Sequence, residues 1–298
     1  MKRYAEIGMI LVTILWGASY VSGKLILDNM TPLYYTSIRF IGAAIFLGFV
    51  FHNRLKFLNK ATLKAGLLIG LAVATGYILQ TVGLNYTTAS KTGFLTGLFV
   101  VLVPVIDSVI RRSKPRINEI IGVTLATIGL GVLSLNGDFS IAIGDILLVL
   151  SAISFAICII LISRYAKDHD PVLLTIIQVA VTAASSIIFA IIIEPPMVMR
   201  VFDKNLVLLL LFAILFGTAV NTIVQNWAQS KINATSASLI LVLEPVFAGV
   251  FGFIFMGDPL GMKEISGSAL IIAGMLFTLV IKPEKLPSEP INPASAGI

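Results

Sequence analysis

Charge is what this chain has least of. Of its 298 residues only 12% are Asp, Glu, Lys or Arg, and 57% are hydrophobic. A soluble domain carries about 25% charged residues. The mean hydropathy is +1.00. So little charge cannot coat so much apolar material in water, and the solvent for this chain is lipid. Cysteine is nearly absent too. Cys158 lies alone in an apolar run, which excludes a disulfide framework and leaves the redox compartment unreadable. His52 and His169 fall in loops and make no metal pair. No HExxH, CxxC or GxSxG occurs. The stretch from Gly17 to Lys24-Leu25 resembles a phosphate loop only superficially, because its glycines are spaced one residue too far apart and Leu25 replaces the hydroxyl that would bind magnesium. No catalytic residue, cofactor or metal is therefore assigned, and the chain reads as no enzyme. Energy for any work it does comes from gradients. The net charge of +6 is scattered over short loops rather than gathered on one face, so nucleic acid is not an expected partner.

What is present is long apolar runs. A membrane helix needs about 17–25 mostly apolar residues. Ten runs qualify, at about 7–25, 33–51, 63–84, 92–110, 117–135, 143–163, 172–193, 206–227, 234–256 and 262–281. The connections are short and polar, or bear Pro and Gly, as at Asn136-Gly137-Asp138 and Glu194-Pro195-Pro196. Fifteen Lys and Arg residues collect on one side, including Arg54, Arg111, Arg112 and Arg164, and five on the other. Lys and Arg accumulate in cytoplasmic loops, so both termini are expected in the cytoplasm of a cell (inner or plasma) membrane protein. Lys2-Arg3 ahead of an apolar stretch imitates a signal peptide, but that stretch has a counterpart later in the chain and reads as a structural helix. Beyond Ile281 the composition turns polar, with prolines at 283, 287, 290 and 293, and a disordered cytoplasmic tail is expected over 282–298.

The apolar chain is also doubled. Glu119-Ile120-x-Gly122-x-x-Leu125-x-x-x-Gly129 recurs 145 residues later as Glu264-Ile265-x-Gly267-x-x-Leu270-x-x-x-Gly274. Gln80 falls on Gln225 and Ala89 on Ala234 at the same shift. Upstream, Pro32 and Arg39 match Pro171 and Gln178, which sets Trp16 opposite Phe155. Two units follow, over 5–136 and 140–281, each with five helices. An odd helix number inserts the second copy upside down. The fold expected is an all-α integral membrane protein of ten transmembrane helices in two inverted five-helix repeats. Such doubling marks secondary transporters, whose site lies between the halves.

Trp16-Gly17 in the first span, Arg39-Phe40 in the second and Leu243-Glu244-Pro245-Val246 in the ninth, taken in this order over two five-helix units, resemble the drug/metabolite transporter superfamily. Within it the chain is similar to the EamA-type transporters over nearly all of 5–281. The resemblance implies a central cavity lined mainly by spans 1, 3, 4, 6, 8 and 9, with 2, 5, 7 and 10 outside. It also implies export or exchange of small metabolites, often amino acids or related compounds. The alternative class is a membrane protein that transports nothing, an intramembrane enzyme or scaffold. Lipid and a small-molecule substrate are the expected partners. Two complete halves on one chain can work as a monomer, with a homodimer as the alternative.

Glu244 is the most informative single residue, ten positions into its span. A charge at mid-membrane costs about 2.5–3.5 kcal/mol on insertion scales. It is either a proton or cation site, or a hydrogen-bond donor at the break that Pro245 makes. Gln80 and Gln225 are symmetry mates, and Asn221 lies one turn before Gln225; as membrane amides they either contact substrate or join helices. Trp16, Tyr20, Tyr77 and Trp227 are cavity-wall candidates, the last three also placed for the aromatic belts at the membrane surfaces. Arg39, about 9 Å into its span, can snorkel outward, bond a neighbouring helix or meet substrate. Lys91 at the outer mouth of span 4 can attract an anion or simply be solvated. Asp107 and Arg111 are spaced for a structural ion pair. In the repeat frame Val100 falls opposite Pro245 and Pro104 one turn later, so the break in span 4 is expected about a turn away from that in span 9.

Overall fold

The computed structural model describes residues 1–84, 86, 89–112, 114–134, 143–197, 203–257 and 261–280, without the side chains of Tyr20, Ala89, Ser90, Lys91, Ser134 and Val280. All regular structure among these residues is helical. The order is α1 (Lys2–Leu27), α2 (Pro32–Val50), the short α3 (His52–Leu55), α4 (Lys60–Leu84), α5 (Ala89–Gly97), α6 (Phe99–Arg111), α7 (Ile117–Ser134), α8 (Ile143–Tyr165) and α9 (Pro171–Ile193). Then come α10 (Lys204–Ile214), a π-helical segment (Leu215–Val220), α11 (Asn221–Gln229), α12 (Ala234–Leu241), α13 (Glu244–Met256) and α14 (Met262–Val280). Among the described residues nine helical stretches are long and apolar enough to cross a membrane, and Ile117–Leu133 is a shorter apolar helix at the place of the fifth expected span. The expected tail over 282–298 and the Asn136-Gly137-Asp138 connection lie outside the described residues.

Helix starts follow local chemistry. Pro32 and Pro171 each open a helix, where a missing N–H costs nothing and the fixed φ suits the first turn. Asp170, Asp203 and Asn233 accept N-cap hydrogen bonds from Val172, Leu206 and Ser236. Glu119 and its repeat mate Glu264 do one job in two places. Each accepts from the backbone N–H three residues before it, Arg116 at 3.1 Å and Gly261 at 2.8 Å.

The break in the fourth span is not where Pro104 suggested. Pro104 sits inside α6, and the helix is interrupted at Leu98, between α5 and α6. Val242 and Leu243 interrupt the ninth span, so the two breaks coincide in the repeat frame. Glycine rather than proline marks the first one. A Cβ on Gly97 would come within 2.4 Å of a Leu130 methyl, and the tight approach of α7 leaves room only for hydrogen. The N–H of Leu98 then turns back to the Leu95 carbonyl at 3.3 Å.

Packing is closest where the repeated glycines meet. A Cβ on Gly122 would fall 1.8 Å from Thr278 Oγ1 and 2.6 Å from the Gly274 carbonyl, and one on Gly129 2.6 Å from the Gly267 carbonyl. Rising numbers along α7 meet falling numbers along α14, so the two helices run antiparallel. Leu125 lies against Gly274, and its mate Leu270 against Gly129. At one end Asn118 and Thr278 exchange hydrogen bonds with each other's backbone carbonyls, at 3.3 and 3.1 Å. Gly66 and Gly70 of α4 receive Ile177 and Val181 of α9, and Gly17 of α1 receives Phe247 of α13 with its Cβ site 2.6 Å from the phenylalanine Cβ. Small residues that let backbones approach in this way drive association in lipid, where burial of apolar surface cannot.

The distribution of polarity is that of a multi-pass membrane protein. Phe49, Ile192 and Phe255 are 81%, 71% and 69% exposed, while Ser151, Thr175, Asn221 and Asn226 are fully buried. α2 and α9, antiparallel neighbours, are clamped at both ends. The Glu194 carboxylate, just past α9, accepts from the Thr31 hydroxyl and from the N–H groups of Leu33 (2.8 Å) and Tyr34 (3.1 Å) at the start of α2. At the far end Arg54, beyond α2, pairs with the Asp170 cap of α9. Glu194→Ala should therefore destabilise the purified protein by about 1–2 kcal/mol, as loss of a helix cap does. A thermal melt in detergent indistinguishable from the parent's would remove the clamp.

Candidate substrate site

Tyr77 is the hub of the interior. It projects from α4 and packs edge-on against Phe40 of α2 and Phe155 of α8, both with ring centroids 5.5 Å away. A Cβ on Gly76 would lie 2.6 Å from the Phe155 ring, so this glycine is what lets that ring in beside Tyr77. The Tyr77 hydroxyl accepts from the Arg39 guanidinium at 3.2 Å. It is also within electrostatic reach of Glu244. Tyr77 is thus packed between α2 and α8. Arg39 is held among aromatic rings. Its guanidinium turns in over the rings of Tyr35, Phe40 and Tyr77, at 5.7, 5.1 and 5.5 Å from their centroids. Span 2 thus meets span 3 through this residue.

Glu244 is half-buried and opens α13 directly after the break at Val242 and Leu243. Across α1, Trp16 donates from its indole nitrogen to the Gly217 carbonyl at 3.2 Å. That carbonyl belongs to the π-helical segment, which interrupts the eighth span. Here Thr218 reaches back five residues to the Ala213 carbonyl at 2.9 Å. Single π turns within α-helices are often found at functional sites.

The amides of α11 are divided among its neighbours. Asn221 is fully buried, donates to the Val12 carbonyl of α1 at 3.2 Å and leaves its own Oδ1 without a partner. Asn226, which the sequence did not single out, donates to Thr175 at 2.8 Å and to Gln178 at 3.1 Å, both on α9. Gln229 accepts from Ser163 of α8 at 3.3 Å. Gln225 is 5% exposed and Gln80 half-buried. Trp227 is 40% exposed and packs beside Gly8. The side chains of Tyr20 and Lys91 lie outside the described residues. Asp107 and Arg111 form the expected ion pair at 2.9 Å. No group of three or more His, Cys, Asp and Glu side chains among the described residues could hold a metal ion.

The EamA-like transporter family matches the chain twice, over residues 3–135 and 142–280. The chain belongs to this family. An uncharacterized transporter of Archaeoglobus fulgidus is 34% identical to this EamA-like chain, covering 93% of it and 86% of the relative. The uncharacterized transporter YoaV of Bacillus subtilis is 27% identical, covering 91% and 95%. A WAT1-related chloroplastic protein of Arabidopsis thaliana is 24% identical over 87% of the chain and 66% of its own length. A solved crystal structure superposes with a TM-score of 0.78 at 14% identity, covering 94% of the EamA-like chain and 98% of the other, which shows a shared fold.

Proposed function

We propose that the chain is a secondary carrier that exports or exchanges small metabolites across the cell membrane by alternating access. In this reading ten helices form two inverted units, residues 5–136 and 140–281, with both termini cytoplasmic. The antiparallel meeting of α7 with its repeat mate α14 supports the inversion. One observation carries the function. Arg39 and Tyr77 from the first unit meet Phe155 from the second, and Glu244 of the second lies within electrostatic reach of Tyr77. A scaffold needs packing between its halves and gains nothing from placing a cation and a carboxylate within its spans, where each is costly. Relatives named as transporters point the same way. The π-helical segment and the broken fourth and ninth spans supply places where helices can bend.

Vesicles reconstituted with the protein and loaded with a cell-extract metabolite pool should release a subset of its compounds faster than protein-free vesicles. Mass spectrometry of the external buffer reads the difference. Identical release profiles would sink the carrier reading.

A further inference from the structure

We propose that the cleft between the ends of α6 and α8 holds the phosphate-bearing headgroup of an anionic phospholipid. Such a site requires the chain to lie in a membrane with its basic side cytoplasmic; it is independent of the carrier reading.

A cavity of about 340 Å³ opens where the two helices end. Its walls carry Arg111, the last residue of α6, Arg164, in the last turn of α8, and Lys167, in the turn that follows. One carboxylate lines it with them, that of Asp107, which accepts from Arg111 Nε at 2.9 Å. A guanidinium has five N–H donors, and this bond uses one. Arg164 and Lys167 are exposed, and neither is in an ion pair among the described residues. Asp168 follows Lys167 in the chain but does not line the cavity. Three cations against one carboxylate leave the lining with two positive charges. A phosphodiester headgroup brings the opposite sign and several oxygen acceptors, which Arg and Lys donors suit.

An excess of Lys and Arg in loops orients a chain in the membrane, yet that role asks only for charge near the surface. It gives no reason for cations to gather round a hollow between two helices. Helix packing gives none either. In the repeat frame Arg111 falls on Met256, Arg164 on Leu25 and Lys167 on Asp28. Lys24, opposite Ser163, is the one cation among the mates of the lining residues, and Asp28 balances it. The mates of these helices, α13 and α1, thus pack together without the surplus charge.

The rest of the cleft favours a lipid over a soluble anion. Ile110, also in the lining, is 52% exposed, and Ile157, three residues before Ile160 on α8, is 40% exposed. In a multi-pass protein such surface faces acyl chains. A headgroup among the cations has its own chains beside these side chains, and a free phosphate gains nothing from them. Ligand sites run from about 300 to 1,000 Å³, so this cavity suits a headgroup and not a whole lipid. Basic pockets between membrane helices on the cytoplasmic side are places where anionic headgroups bind.

The test uses the purified full chain in detergent. Phosphatidylglycerol, cardiolipin and phosphatidylcholine are the lipids; inorganic phosphate and glycerol 3-phosphate are the soluble probes. Native mass spectrometry counts bound lipid, and thermal shift reads stabilisation. The anionic lipids should bind about ten-fold or more tightly than phosphatidylcholine. The soluble phosphates should give no shift at equal concentration. Arg164→Gln with Lys167→Gln should bring the anionic lipids down to the phosphatidylcholine level. Both side chains are exposed, so the lipid-free melting temperature should not move. Lys60→Gln with Lys64→Gln removes as much charge from the same basic side, outside the cavity, and should leave the preference in place. Lys167→Gln alone should cost about three-fold, which keeps the test decisive if the double variant fails to fold. Equal binding of all three lipids, equal losses in the two double variants, or soluble phosphates that match the lipids would each overturn the lipid site. The last result would mark a site for a free phosphate compound. Every readout is of binding, so these results and the metabolite-release result stand or fall separately.

Discussion

Glu244→Gln is expected to abolish net transport driven by a pH gradient while leaving substrate exchange and folding intact. Glutamine has the shape of the protonated acid and both donates and accepts, but it has no proton to release. The position gives this swap its force. Glu244 is the first residue of α13, beside Pro245, whose missing N–H leaves a carbonyl at the break without its helical donor. It is also within electrostatic reach of Tyr77, whose hydroxyl accepts from Arg39. A side chain that only supplied a hydrogen bond to the broken backbone would be replaced without loss. Vesicles with an imposed pH gradient separate the two roles. If the variant accumulates substrate like the parent, Glu244 is structural. If exchange persists and accumulation disappears, it couples the proton.

The largest effect on assembly is expected from Gly122→Leu. The first atom of any side chain at this position would land on the Thr278 hydroxyl and the Gly274 backbone, and backbone cannot step aside as a flexible side chain can. Overpacking costs about 1–3 kcal/mol in ordinary cores; here the helices must separate, and the purified protein should lose its monodisperse peak in size-exclusion chromatography. Gly48 is the control, because nothing lies within 4 Å of its Cβ site. Gly48→Ala should stabilise α2 by about 0.5–1 kcal/mol. A Gly122→Leu protein with the parent's elution and melting temperature would refute the close seam.

Helix positions were legible where punctuation is local. The reading 33–51 became Pro32–Val50 and 172–193 became Pro171–Ile193, because a proline opens each. The break in the fourth span was misplaced because Pro104 is conspicuous and Gly97 is not, and the contact with Leu130 that matters is made by another helix. The π-helical segment gave no warning, since its composition is that of an ordinary apolar helix. For the site, residue type was informative and direction was not. Arg39 and Tyr77 were both visible as polar residues in apolar spans. That they face each other depends on how α2 and α4 settle against α9, and no spacing within either helix encodes it. Asn226 was overlooked because its worth lies in meeting Gln178, 48 residues away.

The seam of α7 and α14 has a consequence for how such a chain can evolve. One stretch of sequence meets its own copy head to tail, Leu125 on Gly274 and Leu270 on Gly129. In a pair of separate, identical five-helix chains any change in that stretch would appear twice across the contact, and no compensating change could be made on one side only. Joined on a single chain, the two faces are inherited as different residues, and a bulkier side chain on one can be matched by a smaller one on the other. At Arg39 and Gln178 the halves differ in this way, one carrying a charge and the other an amide contact.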